Sequence, residues 1–281
     1  MNTNRESREG EIAVSVVEIQ GEGRVVTVTL NRPELKNAMN PEMVVRLARL
    51  WGELADDPQV WAVVLTGAAG STFCAGADLR SLAPLQTGAR EPVDEWDEAM
   101  VADPSLLGRS VLAGVRLGKP LVVAANGHAI GGGMGLVLAG DIRVMAAGAR
   151  MAYNEVKLGL LTEGGGTALL GRALPPALAT EVLVTGEPIT AERAWEVGFV
   201  NHVVPAADVL AKAQAIARSI ASNAPLAVQA TMEVMAATAG MTESDALTYE
   251  AARAIEIRAT ADAREGPLAY MEKRVPVFQG H

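Results

Sequence analysis

The sequence predicts an α/β fold, because strand-like and helix-like segments alternate over the first two thirds of its 281 residues. Apolar runs, which are typical of strands buried on both faces of a sheet, occupy residues 60–67 and 120–126, and residues 141–147 are expected to form a third strand. After about Pro205 the pattern changes to long, alanine-rich helical segments. We therefore divide the chain into a flexible tail at 1–11, a core at 12–205 and a C-terminal helical segment at 206–281.

Local signals place the N-terminal elements in order. Residues 12–19 and 24–30 are expected to form two strands, joined by a turn at the Gly-Glu-Gly sequence 21–23. Asn40 is a typical N-cap residue, and Pro41 suits the first turn of the helix that follows it. The chain then enters the apolar strand at 60–67.

The later elements are placed by residues that favour helices and by the glycines and prolines that end them. A helix is expected at 106–117 and another from about Gly132. The polar segment 85–105, which contains two prolines, is expected to be the most mobile internal region. The boundaries of the C-terminal helices are expected at Pro225, Gly240 and Gly266.

Composition argues against several classes of protein. Lys and Arg total 24 against 33 Asp and Glu, giving a net charge of −9 without a basic run, so we expect no nucleic-acid partner. We expect no membrane span, and residues 1–11 lack the apolar stretch of a signal peptide. Cys74 is the single cysteine, which excludes an internal disulfide and suits a cytoplasmic protein. Three scattered histidines and one cysteine give no metal-binding pattern.

A glycine-rich stretch, "GHAIGGGMGLVLAGDIRV" at 127–144, joins a buried strand to a helix. Backbone N–H groups at a helix start are unpaired, and the helix dipole makes that end attractive to negative charge. Glycines let a ligand lie against this backbone. The spacing does not match the dinucleotide fingerprint. A tight packing turn is the structural alternative to a binding site.

The loop "FCAGADL" at 73–79 follows another buried strand. If the two strands are neighbours, each loop supplies one backbone N–H to the same oxygen atom. Such an oxyanion hole would stabilise an enolate or a tetrahedral centre. Cys74 in this loop is expected to be a small buried residue rather than a nucleophile.

Several motifs in order identify a resemblance that extends from about residue 12 to the C-terminus. They include "NRPELKNAM", "FCAGADL", "GGGMGLVLAGDIRV" and "EGPLAYMEKRVPVFQG". Together they resemble the enoyl-CoA hydratase/isomerase (crotonase) superfamily. The resemblance implies a crotonase-like spiral of ββα units and a C-terminal helical segment used in trimerisation, giving homotrimers or dimers of trimers. It also implies an acyl-CoA thioester substrate, with coenzyme A as part of that substrate and no permanently bound cofactor.

The resemblance also assigns site residues by motif position. The oxyanion hole would be formed by the N–H groups of Ala77 and Gly132. The remaining positions that would line the substrate and its CoA portion are Lys36, Ala38, Ala75, Gly76, Asp78, Leu79, Gly131, Gly135 and, with Arg274 beside it, Lys273.

One carboxylate of the family pattern is missing. Members that hydrate a double bond generally use two glutamates, and the first of these positions is Gly135 here, which cannot transfer a proton. The second matches Glu155, although Asn154 replaces the preceding proline. Glu163 stands where some branches of the family use a catalytic aspartate. The structural alternative for Glu163 is a residue at the start of a helix, where the helix dipole favours a carboxylate. The structural alternative for Glu155 is a surface carboxylate or one held in an ion pair.

A single base favours double-bond migration over hydration. Glu155 would remove a proton from the α-carbon of a β,γ-enoyl-CoA, and Glu155 or Glu163 would return it at the γ-carbon. Tyr153 is a candidate contact for the acyl chain. Two alternatives stay open: hydration by Glu155 and Glu163 together, and non-catalytic acyl-CoA binding. The apolar setting that proton return requires is expected from Val156, Leu158, Leu160 and Leu161.

Overall fold

The computed structural model describes residues 16–68, 70 and 72–281. The predicted tail at 1–11 lies outside the described residues, as does the start of the strand predicted from residue 12. The rest of the chain forms the predicted α/β architecture, with two sheets and flanking helices.

The larger sheet has six strands in the described part of the chain. In spatial order they are β1 (Val17–Glu22), β2 (Val25–Leu30), β3 (Ala62–Gly67), β5 (Leu121–Ala125), β7 (Ile142–Ala146) and β10 (His202–Val204). Only β1 runs antiparallel to its neighbour. Every residue of β3 and β5 is buried, as expected for the centre of a parallel sheet covered on both faces.

The smaller sheet has four described strands. In spatial order they are β4 (Thr72–Cys74), β6 (His128–Ile130), β8 (Arg150–Ala152) and β9 (Ile189–Thr190). β4, β6 and β8 are parallel to one another, and β9 is antiparallel to β8.

Helices follow the strands in chain order. They are α1 (Pro41–Asp56), α2 (Leu79–Gln86), α3 (Glu95–Ala102), α4 (Leu106–Ser110), α5 (Gly132–Ala139), α6 (Gly166–Ala173), α7 (Pro176–Thr185), α8 (Ala191–Glu196), α9 (Val209–Ala221), α10 (Pro225–Ala237), α11 (Glu243–Arg258) and α12 (Asp262–Glu272). Short 3₁₀ helices occupy Pro33–Leu35, Glu155–Leu158 and Ala206–Asp208.

The chain repeats a ββα unit. A strand of the larger sheet leads to a strand of the smaller sheet and then to a helix, as in β3–β4–α2, β5–β6–α5 and β7–β8–α6. Because successive units lie side by side, the loops that leave β4 and β6 emerge at the same edge of the smaller sheet. This arrangement brings the two glycine-containing loops together.

Several predicted boundaries are confirmed. The Asn40 side chain accepts a hydrogen bond from the Met43 N–H, so Asn40 is the N-cap of α1, and Pro41 is its first residue. Likewise, α10 begins at Pro225, and Gly240 separates α10 from α11. α9 packs on the larger sheet, while the boundary at 205 between core and helical segment stays a prediction.

Three local predictions are wrong. The first hairpin turns at Gly23–Arg24, because β1 continues through Glu22, which pairs with Val25. The helix expected at 106–117 ends at Ser110, since Leu112 adopts a left-handed backbone conformation at φ 57°. Gly266 lies inside α12, where the Phe278 ring of the returning C-terminus covers it.

The polar segment 85–105 contains ordered structure. It includes α3, whose N-terminus is capped by the Asp94 side chain. Arg90 also forms a two-nitrogen salt bridge with buried Asp97. The cap uses backbone N–H groups two and three positions after Asp94, and the salt bridge joins residues seven positions apart, so both features are local in sequence. The mobility of the segment stays a prediction.

The C-terminal helices pack unequally on the rest of the chain. No residue of α11 is buried, and its contacts are chiefly with α10 and α12. Among the described residues, no helix combines the length and apolar character needed to cross a membrane.

The packing of α5 on β4 predicts different effects on stability when Gly133 and Gly135 are each replaced by alanine. A Cβ at position 133 would lie 2.2 Å from the Cys74 carbonyl oxygen, whereas a Cβ at position 135 would meet nothing closer than Val111, at 3.5 Å. We expect Gly133→Ala to lower the free energy of unfolding by about 3 kcal/mol. Gly135→Ala is expected to leave it unchanged or raise it by up to about 1 kcal/mol. Urea unfolding measures both, and equal effects would contradict the packing.

Candidate active site

Gly131 turns the chain from β6 into α5. Its φ of 54° and ψ of −121° are readily adopted only by glycine, and its N–H donates to the Ala152 carbonyl oxygen at 2.8 Å. The sharp turn places the first N–H groups of α5 at the edge of the smaller sheet. Gly132 is the first residue of this helix, so its N–H has no partner within the helix.

The loop after β4 lies directly against this turn. Gly76 has a φ of 85°, and a Cβ there would lie 2.6 Å from the Ile130 carbonyl oxygen and 3.2 Å from the Gly132 nitrogen. Only glycine at position 76 allows this approach. The predicted meeting of the two loops is therefore present in the structure.

A short parallel bridge orients Ala77. The Met39 N–H donates to the Gly76 oxygen at 2.8 Å, and the Asp78 N–H donates to the Met39 oxygen at 2.9 Å. This pairing uses the Gly76 carbonyl and the Asp78 N–H, and it leaves the Ala77 N–H outside the bridge. In the described part of the chain, neither Ala77 nor Gly132 donates its backbone N–H to an acceptor. Two unpaired donors on adjoining loops suit an anionic oxygen.

Glu155 lies beside these loops. It begins the 3₁₀ helix that follows β8, and its Oε1 atom would lie 3.1 Å from a Cβ at Gly131. Its Oε2 atom accepts a hydrogen bond from the Thr162 hydroxyl at 3.1 Å. Thr162 is buried, and its own carbonyl accepts from the Thr167 hydroxyl at 2.7 Å. This hydrogen-bonded pair fixes one carboxylate next to the unpaired amides.

Glu163 is placed differently. It is exposed in the turn before α6, where its carbonyl oxygen accepts from the Gly166 N–H at 3.2 Å. Among the described residues, its side chain makes no hydrogen bond or ion pair. The position fits the helix-start alternative. Glu155 lies next to Gly131, whereas the Glu163 side chain makes no hydrogen bond or ion pair to either glycine loop among the described residues.

The apolar surroundings expected around Glu155 are absent from its own segment. Contrary to the sequence prediction, all four residues that were expected to provide them are exposed in the protomer: Val156, Leu158, Leu160 and Leu161. They follow Glu155 on a single-turn 3₁₀ helix and the loop after it, and this short segment lies at the surface.

Tyr153 and Val111 surround the position of the missing carboxylate. A Cβ at Gly135 would lie 3.5 Å from Val111 and 3.7 Å from the Tyr153 hydroxyl oxygen. Tyr153 is 1% exposed, and its hydroxyl has no hydrogen-bond partner among the described residues. Burial, and then the nearby Glu155 carboxylate, raise the pKa of Tyr153, so the phenol stays protonated.

The segment before α1 lies against the loop that follows β4. Lys36 is exposed, and its carbonyl accepts from the Ala75 N–H at 3.0 Å. The Ala38 carbonyl accepts from Arg32 at 2.5 Å, and Arg32 also pairs with Asp78 at 3.2 Å. Leu79, in the first turn of α2, is 48% exposed and free to contact a ligand.

Sequence reasoning missed the residue that ties these loops together. Asn37 is buried at a φ of 54°, and its amide nitrogen donates to the Thr72 and Phe73 carbonyls at 3.1 Å each. Its side-chain oxygen accepts from the Arg32 N–H at 3.0 Å. Thr162 was missed as well. The role of Asn37 depends on a contact 35 positions along the chain, and that of Thr162 on a bond to a residue seven positions earlier. No capping or turn pattern in the sequence indicates either contact.

The C-terminal candidates make no hydrogen bond or ion pair with these loops among the described residues. Lys273 ends α12 and is exposed. Arg274 pairs with Glu265 and Glu272, and its guanidinium holds the pKa of Glu265 down to about 2. The structure therefore gives Arg274 carboxylate partners in its own chain. No cluster of three or more potential metal ligands occurs among the described residues.

Comparisons with known proteins agree with this architecture. Residues 20–281 match the sequence model of the enoyl-CoA hydratase/isomerase family. The chain is 38% identical to enoyl-CoA hydratase EchA19 of Mycobacterium tuberculosis, over 93% of this chain and 95% of the relative. It is 36% identical to (E)-benzylidenesuccinyl-CoA hydratase of Thauera aromatica, over 94% and 99%. The crystal structure of an enoyl-CoA hydratase from Mycobacterium tuberculosis H37Rv superposes with a TM-score of 0.83 at 32% identity, over 95% and 100%.

The chain belongs to the enoyl-CoA hydratase/isomerase family and has the crotonase fold, with its spiral of ββα units and C-terminal helical segment. It is an acyl-CoA enzyme of that superfamily. The family uses acyl-CoA thioesters without a permanently bound cofactor.

The reactivity of the Cys74 thiol tests whether this residue, at the end of β4, is buried. Burial raises the pKa of Cys74 to about 12, so at pH 8 the thiol is protonated and lacks the reactive thiolate form. We expect no reaction between the folded protein and an aromatic disulfide reagent at pH 8. The urea-unfolded chain is the control and should titrate one thiol. Rapid stoichiometric reaction of the folded protein would contradict this placement of Cys74.

Proposed function

We propose that this protein shifts a carbon–carbon double bond in an enoyl-CoA thioester. The observation that carries the proposal is a single carboxylate, Glu155, beside the two unpaired amides of Ala77 and Gly132. The position of a second carboxylate is occupied by Gly135, whose surroundings are Val111 and the Tyr153 phenol. One proton carrier is sufficient for migration of a double bond.

The thioester carbonyl oxygen accepts hydrogen bonds from Ala77 and Gly132 in this proposal. Glu155 removes a proton from the α-carbon of a β,γ-enoyl-CoA, and the negative charge that develops on the oxygen is stabilised by the two amides. The γ-carbon then takes the proton back from Glu155 as the double bond moves into conjugation. The C–H bond broken at the α-carbon is balanced by the C–H bond formed at the γ-carbon, so no co-reactant is needed.

Hydration or dehydration is the second candidate, because both relatives named above are called hydratases. Adding water needs a group that activates the water and a group that manages the α-proton. In the sequence-based form of this candidate, Glu155 and Glu163 share those tasks. This candidate ranks second because Glu163 is exposed, and the hydrogen bond to the Glu155 carboxylate comes from Thr162.

A two-substrate assay separates these candidates. We expect 3-butenoyl-CoA to gain the absorbance of a conjugated enoyl thioester, while crotonyl-CoA keeps its absorbance. Glu155→Gln, which preserves the shape of the side chain, should slow the first reaction by about 10² to 10⁴-fold. Glu163→Gln is the matched control and should leave the rate unchanged.

Loss of crotonyl-CoA absorbance, abolished by either substitution, would instead establish hydration by the pair. Binding of both thioesters without any turnover would support the non-catalytic alternative.

We also propose that the C-terminal helices mediate self-association into a homotrimer or a dimer of trimers. α11 has no buried residue in the protomer. Large apolar side chains are exposed along α10 to the C-terminus: Met235, Leu247, Ile255, Leu268, Tyr270, Met271, Val275 and Val277. An exposed apolar surface of this extent is typical of a protein–protein interface. The same contacts would provide a route for Lys273 to reach the CoA portion bound to a neighbouring copy.

Light scattering after size-exclusion chromatography tests the assembly. The wild-type chain is expected at three or six times its 29.3 kDa mass. Ile255→Glu places a charge on α11 and should shift the population toward monomer. Val93→Glu, which changes an apolar residue that is 76% exposed outside the helical segment, is the matched control. A monomeric wild-type protein would contradict the proposal.

A further inference from the structure

The Tyr153 hydroxyl is a buried hydrogen-bonding group that neither the fold nor the proposed proton transfer uses. Its oxygen has no partner among the described residues, and the side chain is 1% exposed. The ring is fixed by close packing, since a Cβ at Gly166 would lie 2.8 Å from its Cζ atom. Leaving a buried donor unpaired is unfavourable, so most such groups have partners. A buried, unpaired hydroxyl beside a ligand site indicates that the ligand supplies its hydrogen-bond partner.

Gly135 leaves room for such a partner. The Cβ that it lacks would make ordinary contacts with Val111 at 3.5 Å and with the Tyr153 oxygen at 3.7 Å. The absent methyl group thus corresponds to a gap about the size of one heavy atom next to the hydroxyl. Gly135 lies one helical turn, a rise of about 5.4 Å, beyond the Gly131–Gly132 end of α5. The gap is therefore displaced along α5 from the proposed position of the thioester carbonyl.

Charge restricts what can occupy this gap. Tyr153 remains a neutral O–H donor, because burial and the Glu155 carboxylate both disfavour the phenolate. The same carboxylate would repel an anionic group. The wall opposite the hydroxyl is the aliphatic Val111. The complementary group is an uncharged acceptor oxygen.

We propose that Tyr153 determines substrate specificity by donating a hydrogen bond to an uncharged oxygen on the third or fourth carbon of the acyl chain. The site then selects oxygenated acyl groups over plain alkyl chains of the same length. This inference rests on the proposed placement of the thioester carbonyl at Ala77 and Gly132. It is independent of whether the enzyme moves a double bond or adds water.

Calorimetric binding to the Glu155→Gln protein tests the proposal without turnover. The ligands are butanoyl-CoA, 3-hydroxybutanoyl-CoA and 4-hydroxybutanoyl-CoA. We expect one hydroxylated thioester to bind about three- to tenfold more tightly than butanoyl-CoA, the gain of one neutral hydrogen bond. Adding Tyr153→Phe should abolish this preference and leave butanoyl-CoA affinity unchanged. Adding Gly135→Ala, which fills the gap, should abolish it as well.

Tyr249→Phe is the matched control, because that phenol donates to Glu233 in the C-terminal helices, and this variant should keep the preference. Tyr153→Phe retains the ring and removes an unpaired polar atom, so its melting temperature should not fall. Equal affinity of the parent protein for all three thioesters would mean that water fills the gap, and would overturn the proposal. A preference that survives Tyr153→Phe would do the same. Failure of butanoyl-CoA itself to bind would overturn the acyl-CoA site, and this inference with it.

Discussion

The close approach of two backbone turns is the constraint on which the candidate site depends. Gly76 and Gly132 lie so near each other that a Cβ at position 76 would be 3.2 Å from the Gly132 nitrogen. β4 and β6 make this possible because they are parallel neighbours in the smaller sheet and release their loops at one edge. The Asn37 side chain bonds to the strand that precedes the Gly76 loop. The Ala152 carbonyl accepts a hydrogen bond from Gly131 and so fixes the turn before α5. The ββα repeat thus serves to bring two separate amides to one point.

Glu155 supplies a carboxylate next to the two unpaired amides. The carboxylate follows the third strand of the same parallel set, so the fold supplies both the amides and the proton carrier from consecutive units. Thr162 orients the carboxylate from a buried position, while Glu163, one residue further, is exposed. A difference of one position therefore separates a residue that supports the site from one at the surface. Gly135 and Tyr153 differentiate this site from one that contains two carboxylates.

The sequence was informative where short-range rules apply. The buried strands, the Asn40 cap, the two glycine loops and the position of Glu155 follow from apolar runs, capping chemistry and motif resemblance. The end of α4 at Ser110 could not be predicted in this way. It depends on a hydrogen bond from the Trp51 indole N–H to the Ser110 carbonyl, at 2.8 Å, and on the left-handed backbone conformation of Leu112. The exposure of Leu158 and the unpaired Tyr153 hydroxyl also depend on tertiary placement. Composition and spacing carry no information about such long-range contacts.

Glu155, beside the amides of Ala77 and Gly132, is proposed to remove an α-proton from a bound thioester and so form its enolate. Exchange of the α-protons of butanoyl-CoA in D₂O measures this step alone, since a saturated chain can neither isomerise nor take up water. NMR should show exchange with the wild-type protein and its loss, by about 10²-fold or more, with Glu155→Gln. Absence of exchange in the wild type, or equal exchange in the variant, would contradict this role of Glu155.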